Sequence, residues 1–212
     1  MKRIQKRPEP VAFGEWKSAE AEIGVLHWDA MPPDTRTALK RSLLEEQGYI
    51  CCYCERRVSE HDSHMEHFRP RSKPEYEHLE LDYSNLHASC QQRLRKGEPR
   101  HCGHLKAGWF EEGQLVGPLD ANCERRFLFT GNGEISPRED GDDAALTTIE
   151  RLGLDIPKIR ALRSAAIDAL CAESPDDVAR LLASSVAGRI LPFFTAVSQV
   201  LGGGSTSSGP PV

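Results

Sequence analysis

Residues 64–73, with the sequence HMEHFRPRSK, combine side-chain types that hydrolysis of a phosphodiester would need. That reaction requires a water that has lost its proton and a divalent cation that offsets the developing charge. An imidazole suits the first task because its pKa lies near neutral. The segment therefore predicts His67 as a candidate general base, with a charged surface loop as the alternative interpretation.

Cysteines supply a second cluster of chemically active side chains. The chain has seven cysteines, and four of them have a spacing that suits one metal ion: Cys51, Cys54, Cys90 and Cys102. A C-x2-C pair lets one tight turn direct two thiolates at the same ion. Four protein ligands leave no position for water, so the predicted zinc is structural. Cys123 is an alternative ligand, and Cys52 is expected in the core.

Composition limits the class of protein. The 212 residues carry a net charge of −5, so any nucleic-acid surface must be a local basic patch. No apolar stretch follows the basic N-terminal residues, so we expect no signal peptide and no membrane span. A cytoplasmic, reducing compartment is expected, where clustered cysteines favour metal over disulfides.

The order of these residues resembles the HNH nuclease motif in its zinc-bound form. That motif runs C-x2-C, an acidic residue and His, Asn-Leu, Cys, and a last Cys followed closely by a metal ligand. The segments YCERR, HMEHFRPRSK, DYSNLHASC, CGHLKAG, NCERRFLFTGNGEI and TTIERLGLDIPKIRALR look like the HNH family that includes PtuB. PtuB is the nuclease partner of an ATPase in the Septu anti-phage system and in some retron systems.

The resemblance implies roles for individual residues. Glu66 would be a ligand of the catalytic metal, and His104 would be the second ligand. Asn85 would hold a loop or orient His67. Gly103 departs from the pattern, because Asn or His is usual directly after the last cysteine.

Two other histidines are alternatives for the second ligand. His64 lies two residues before Glu66, so both side chains are on the same face of a strand. His87 lies two residues after Asn85 and is the weaker alternative.

Basic residues flank the predicted site. Lys and Arg contact phosphates without reading sequence, and their position beside His67 favours backbone binding over a solvated face. The predicted nucleic-acid contacts are Arg69, Arg71, Lys73, Arg95, Lys96 and Lys106.

Secondary-structure signals place these motifs on short elements. Residues 1–33 look irregular, and a helix capped by Asp34 or Thr35 is expected to run to about Gln47. The segment YICCYCERR looks like a strand entering a knuckle, and strands are expected at HMEHF and NLHAS, with a helix of a couple of turns near Cys102. The sequence FLFTGNGEI predicts a hairpin, and helices with a kink at Pro192 are expected to follow.

These signals divide the chain into four regions. They are an N-terminal arm and lead-in helix over 1–48, a nuclease core over 49–110, a hairpin-then-helix region over 111–201 and a flexible tail over 202–212. The expected fold class is α+β, with a zinc-stapled ββα-metal (HNH) core, an N-terminal arm and a mainly helical C-terminal region.

The resemblance implies a metal-dependent DNA endonuclease with structural Zn²⁺ and catalytic Mg²⁺ or Mn²⁺. It also implies a role in anti-phage defence with a PtuA-like ATPase partner. An oligomeric complex is compatible with this role, and no membrane association is expected. One alternative is a stand-alone HNH endonuclease of a restriction or mobile element. Another is a non-catalytic, zinc-stabilised nucleic-acid-binding adaptor.

Overall fold

The structure, a computed structural model, describes residues 1–24 and 26–202. These residues form a mixed α/β protein whose helices surround two small antiparallel sheets. The predicted tail lies outside the described residues, apart from Gly202.

The N-terminal third is more helical than predicted. Helix α1 (Val11–Ile23) replaces the expected irregular arm. It begins after Pro10, whose backbone is extended (φ −64°). Proline suits this place because the first turn of a helix needs no backbone N–H donor from it. Helix α2 (Pro33–Glu46) confirms the lead-in helix, but it begins at Pro33 and no side chain caps it.

Leu39, Leu43 and Leu44 of α2 are fully buried, and the helix packs on the strand Leu86–Cys90. Of the expected strand that enters a knuckle at YICCYCERR, the knuckle is confirmed and the strand is wrong. The chain turns there, and only an isolated bridge joins Ile50 to Arg57. A turn is what a C-x2-C pair needs if both thiols are to face one ion.

The central sheet pairs β1 (Ser63–His67) with β2 (Leu86–Cys90). The register places Glu66 opposite His87 and Ser63 opposite Cys90. Helix α3 (Gly103–Lys106) follows as a single turn, shorter than expected. Two strands and a short helix thus surround the cysteines.

The predicted hairpin is confirmed as β3 (Phe127–Phe129) and β4 (Ile135–Pro137). Three helices follow it, namely α4 (Asp143–Leu152), α5 (Pro157–Asp168) and α6 (Pro175–Ala183). The expected kink at Pro192 is wrong, because α6 ends before it and α7 (Phe194–Leu201) begins after it.

One apolar cluster draws on every part of the described chain, from Met1 and Trp16 to Ile159 and Val197. The central sheet is therefore supported by packing from both ends of the described chain. No helix in residues 1–24 or 26–202 is both long enough and apolar enough to cross a membrane.

Candidate functional site

The four predicted cysteines meet in one buried cluster. The sulfurs of Cys51, Cys54, Cys90 and Cys102 all lie within 4.8 Å of one another. Cys54 Sγ and Cys90 Sγ are 3.8 Å apart. A tetrahedral zinc with Zn–S bonds of about 2.3 Å has sulfur–sulfur edges of about 3.8 Å. The cluster is therefore compatible with a zinc site.

Neighbouring groups favour a thiolate at Cys51, whereas burial raises the pKa of the Cys102 thiol well above its ordinary value. The backbone N–H of Cys90 donates to Cys51 Sγ over 3.4 Å. Burial would raise the pKa of Cys51, but hydrogen bonds from Cys102 and Cys52 bring it well below its ordinary value. His101, which sequence reasoning missed, places Nδ1 3.3 Å from Cys102 Sγ and 3.5 Å from Cys90 Sγ.

Cys123 lies outside the cluster. Its thiol is buried and donates to the carbonyl oxygen of Met1 over 3.5 Å. The alternative in which Cys123 supplies a zinc ligand is therefore wrong. Cys52 is buried as predicted, and burial raises the pKa of its thiol well above the ordinary value.

Glu66 is a buried carboxylate whose two oxygens face different partners. Lys106 Nζ lies 2.8 Å from Oε1, and the Tyr53 hydroxyl donates to the same oxygen over 3.2 Å. His64 Nε2 lies 3.1 Å from Oε2. Burial would raise the pKa of Glu66, but His64 and Lys106 bring it below its ordinary value. Glu66 is therefore ionised at neutral pH, with Oε1 held by Lys106 and Tyr53 and Oε2 facing His64.

Gly103 makes room for this pair. A Cβ atom at position 103 would lie 2.3 Å from Glu66 Oε2 and 2.5 Å from His64 Nε2. The two strand side chains thus pack directly on the glycine backbone. The position at which the HNH pattern expects Asn or His is filled here by the ring of His64.

The other candidate ligands of the catalytic metal are His104 and His87. The rings of His104 and His64 meet edge to face, with centroids 5.1 Å apart. His87 is fully buried, and its Nδ1 has no partner among the described residues. The Nδ1 of His64 is likewise buried without a partner in the described chain, whereas its Nε2 donates to the ionised Glu66 Oε2 and would have to lose that proton to bind an ion.

His67 points away from this pair, at the end of β1. Its Nε2 lies 3.0 Å from the carbonyl oxygen of Glu80. A carbonyl only accepts, so Nε2 carries the proton and Nδ1 of the neutral ring keeps its lone pair. Burial lowers the pKa of His67 to about 4, below the near-neutral value expected of an imidazole from the sequence, against the hydrogen bond to Glu80, which raises it. The ring meets Trp28 edge to face at 4.4 Å and borders an open cavity of about 240 Å³ that Glu66 also lines.

Asn85 clamps the chain just beyond His67. Its Oδ1 accepts from the Arg69 backbone N–H over 2.7 Å, and its Nδ2 donates to the Arg69 carbonyl over 2.9 Å. Nδ2 also donates to the carbonyl of Leu79 over 3.1 Å, beside the residue that holds His67. One amide therefore fixes both segments that position the imidazole.

The basic residues after His67 already have partners. Arg69 donates to both carboxylate oxygens of Glu112 at 3.0 and 3.1 Å. Arg71 forms a matching pair with Asp29 at 3.0 and 3.1 Å. Lys73 Nζ donates to the carbonyl of Phe110 over 2.8 Å.

The predicted nucleic-acid contact at Lys106 is wrong. Its side chain is fully buried, and its ammonium contacts Glu66 Oε1 and the carbonyl of His67, the latter at 3.0 Å. Lys106 lies in the first turn after Cys102, and this turn places its side chain against β1 rather than at the surface. Arg95 and Lys96 are exposed.

No protein-family model matches the chain. A curated protein of Vibrio cholerae serotype O1 biovar El Tor, named "Retron Vc95 putative HNH endonuclease", is 31% identical to it over 129 residues. The match covers 58% of this chain and 60% of that protein, so the chain spans about three-fifths of the relative's length. The similarity supports the relation to HNH endonucleases, and the likeness to PtuB stays a prediction.

Proposed function

We propose that this chain is a metal-dependent HNH endonuclease that hydrolyses phosphodiester bonds of DNA. The observation that carries the proposal is the arrangement on β1. Glu66 Oε2 lies beside His64 Nε2, and the next residue, His67, is a neutral imidazole held by a backbone carbonyl. The similarity to an HNH endonuclease from a retron supports the same reading.

Glu66 and His64 fit a divalent ion. Their donor atoms are 3.1 Å apart. Two ligand bonds of about 2.1 Å at right angles would separate donor atoms by about 3.0 Å. The carboxylate oxygen suits Mg²⁺ or Mn²⁺, and the ring of His104 lies against that of His64 as a further candidate donor. A bound ion would supply positive charge against the charge that develops on the phosphate.

The chain's own residues divide the remaining tasks. His67 Nδ1 would accept the proton of the attacking water, and Asn85 would keep the surrounding loops in register. Lys106 holds Glu66 Oε1, so the carboxylate would bind through Oε2. Exposed ion pairs such as Arg69–Glu112 contribute only about 0.2–1 kcal/mol, so a phosphate could displace the carboxylate at little cost.

The biological setting follows from resemblance. Likeness to PtuB implies that the nuclease works in anti-phage defence with a PtuA-like ATPase partner. The retron in the relative's name is a further reason to place this chain in a retron-associated system. Exposed surfaces of the arm and the C-terminal helices would meet that partner.

Cleavage of supercoiled plasmid DNA and of labelled RNA by the purified chain tests substrate and setting together. We expect cleavage of DNA in Mg²⁺ or Mn²⁺, with a rate that rises when a neighbouring ATPase is added. Metal-dependent cleavage would distinguish a nuclease from the zinc-stabilised adaptor, which has no catalytic cation and no general base.

Other outcomes favour the alternatives. Full activity without any partner would favour a stand-alone nuclease. DNA binding without cleavage under every condition would favour the zinc-stabilised adaptor and contradict the proposal.

Metal binding by zinc-loaded variants tests the ligand set. We expect His64→Ala to weaken Mn²⁺ binding by about 10- to 100-fold or more, since losing even a group that only supports a ligand costs that much. Gly103→Ala should have a similar effect, because its Cβ would displace Glu66 Oε2 and His64 Nε2. Isothermal titration calorimetry with Mn²⁺ measures both.

A compensating variant sharpens that test. In His64→Ala/Gly103→Asn, removal of the ring leaves room for the side chain that the HNH pattern expects at 103. Recovery of Mn²⁺ affinity relative to His64→Ala would support the exchange of ligands. Unchanged affinity in His64→Ala itself, with His104→Ala abolishing binding, would assign the second ligand to His104 instead.

A further inference from the structure

Three open cavities that share lining residues are together called the groove. The first, of about 240 Å³, is bordered by His67. The second, of about 520 Å³, is bordered by His64, and Met65 lines both of these. The third has about 850 Å³, and His61 and Gln92 line both it and the second. The groove therefore leads from the candidate site to the third cavity.

The third cavity is basic, although the chain as a whole is acidic. Its walls include five basic residues: Arg56, Arg57, Arg93, Arg95 and Lys158. Its two acidic residues, Asp62 and Glu98, already have partners. Glu98 pairs with Lys158, and Asp62 Oδ1 accepts from the Ser59 hydroxyl over 2.8 Å. The cleft therefore presents surplus positive charge to its contents.

Two guanidinium groups in this cleft are available to a ligand. Arg93 and Arg95 are exposed, and within residues 1–24 and 26–202 neither side chain has a hydrogen bond or ion pair. Arg69 and Arg71, in contrast, each hold a carboxylate. Guanidinium groups bind phosphate with paired donors, which makes the cleft suited to a phosphodiester backbone.

We propose that the cleft bordered by Arg93 and Arg95 binds the phosphate backbone of the nucleic-acid substrate beyond the point of cleavage. This inference rests on the proposed function, since it assigns a path to the same substrate. A strand that crosses the candidate site would follow the groove past His61 and Gln92 and enter the cleft. Contacts of this kind raise affinity without selecting sequence.

Salt-dependent binding of a labelled DNA duplex to Arg93→Gln/Arg95→Gln tests the inference without any cleavage. The duplex is titrated by fluorescence anisotropy in buffer that lacks Mg²⁺ and Mn²⁺. We expect the slope of log K against log salt to fall by about 2, because each lost phosphate contact removes about 0.9. The Kd in about 0.1 M salt should rise by roughly 10- to 100-fold.

A matched variant controls for net charge. Arg7→Gln/Arg125→Gln removes the same charge from two exposed side chains that have no ion pair within the described residues and line none of the three cavities. It should bind DNA with the wild-type slope. Zinc content and thermal unfolding temperature, measured on both variants, show that folding is kept.

Three results would overturn the inference. They are an unchanged slope in Arg93→Gln/Arg95→Gln, an equal loss in the control variant, and equally tight wild-type binding to polyglutamate of matched charge. Because binding is measured without a catalytic metal, a chain that never cleaves DNA can still pass or fail this test.

Discussion

Replacing Cys54 by serine will unfold the protein. The four thiols lie within 4.8 Å of one another in a buried cluster. Zinc binding in small zinc domains contributes about 10–16 kcal/mol to folding, whereas whole domains are stable by only about 5–15 kcal/mol. The short strands and the single turn of α3 cannot replace that contribution. Loss of zinc, measured by metal analysis, should accompany loss of cooperative unfolding in circular dichroism.

Two other cysteines provide controls for this result. Cys171 is exposed, so Cys171→Ser should unfold like the wild type. Cys123 is buried outside the cluster, so Cys123→Ser measures the cost of a buried hydroxyl without a change in metal. A Cys54→Ser protein that keeps its zinc and its unfolding temperature would contradict a structural metal at this site.

Replacing His67 by alanine will reduce the cleavage rate by about 10²- to 10⁴-fold, the contribution typical of a positioned general base. The fold should survive, because the lost edge-to-face contact with Trp28 is worth only about 0.5–1.5 kcal/mol. Mn²⁺ should still bind, since Glu66 and His64 are unchanged. Single-turnover cleavage, unfolding temperature and Mn²⁺ titration measure the three properties.

An exposed histidine is the matched control for this variant. His78→Ala removes an imidazole from the surface turn Pro74–Leu79 and should cleave at the wild-type rate. If His67→Ala cleaved as fast as His78→Ala, His67 would not be the base. A loss of Mn²⁺ binding in His67→Ala would show that the ring supports the metal rather than the water.

Local sequence rules were sufficient where the structure is set by neighbours in the chain. The alternation of a strand correctly put His64 and Glu66 on one face, and the C-x2-C spacing predicted a shared metal. The hairpin after Cys123 followed from Asn132-Gly133, where Gly133 has a φ of 81°.

Long-range packing decides the features that the sequence could not predict. Lys106 looked like a surface cation, but it is buried because Glu66, forty residues earlier, provides a carboxylate. Gly103 looked like a missing ligand, and only the folded chain shows His64 in that space. Trp28 covers His67 from a part of the chain that carries no motif.

One measurement tests the central claim, which is that the chain holds a structural metal and a separate catalytic one. DNA cleavage by zinc-loaded wild-type protein is followed as Mg²⁺ or Mn²⁺ is added, with zinc content checked at each step. We predict no cleavage by the zinc-loaded protein alone and a saturable rise in rate with the added ion at constant zinc. Cleavage at full rate with only the structural zinc bound would contradict the account.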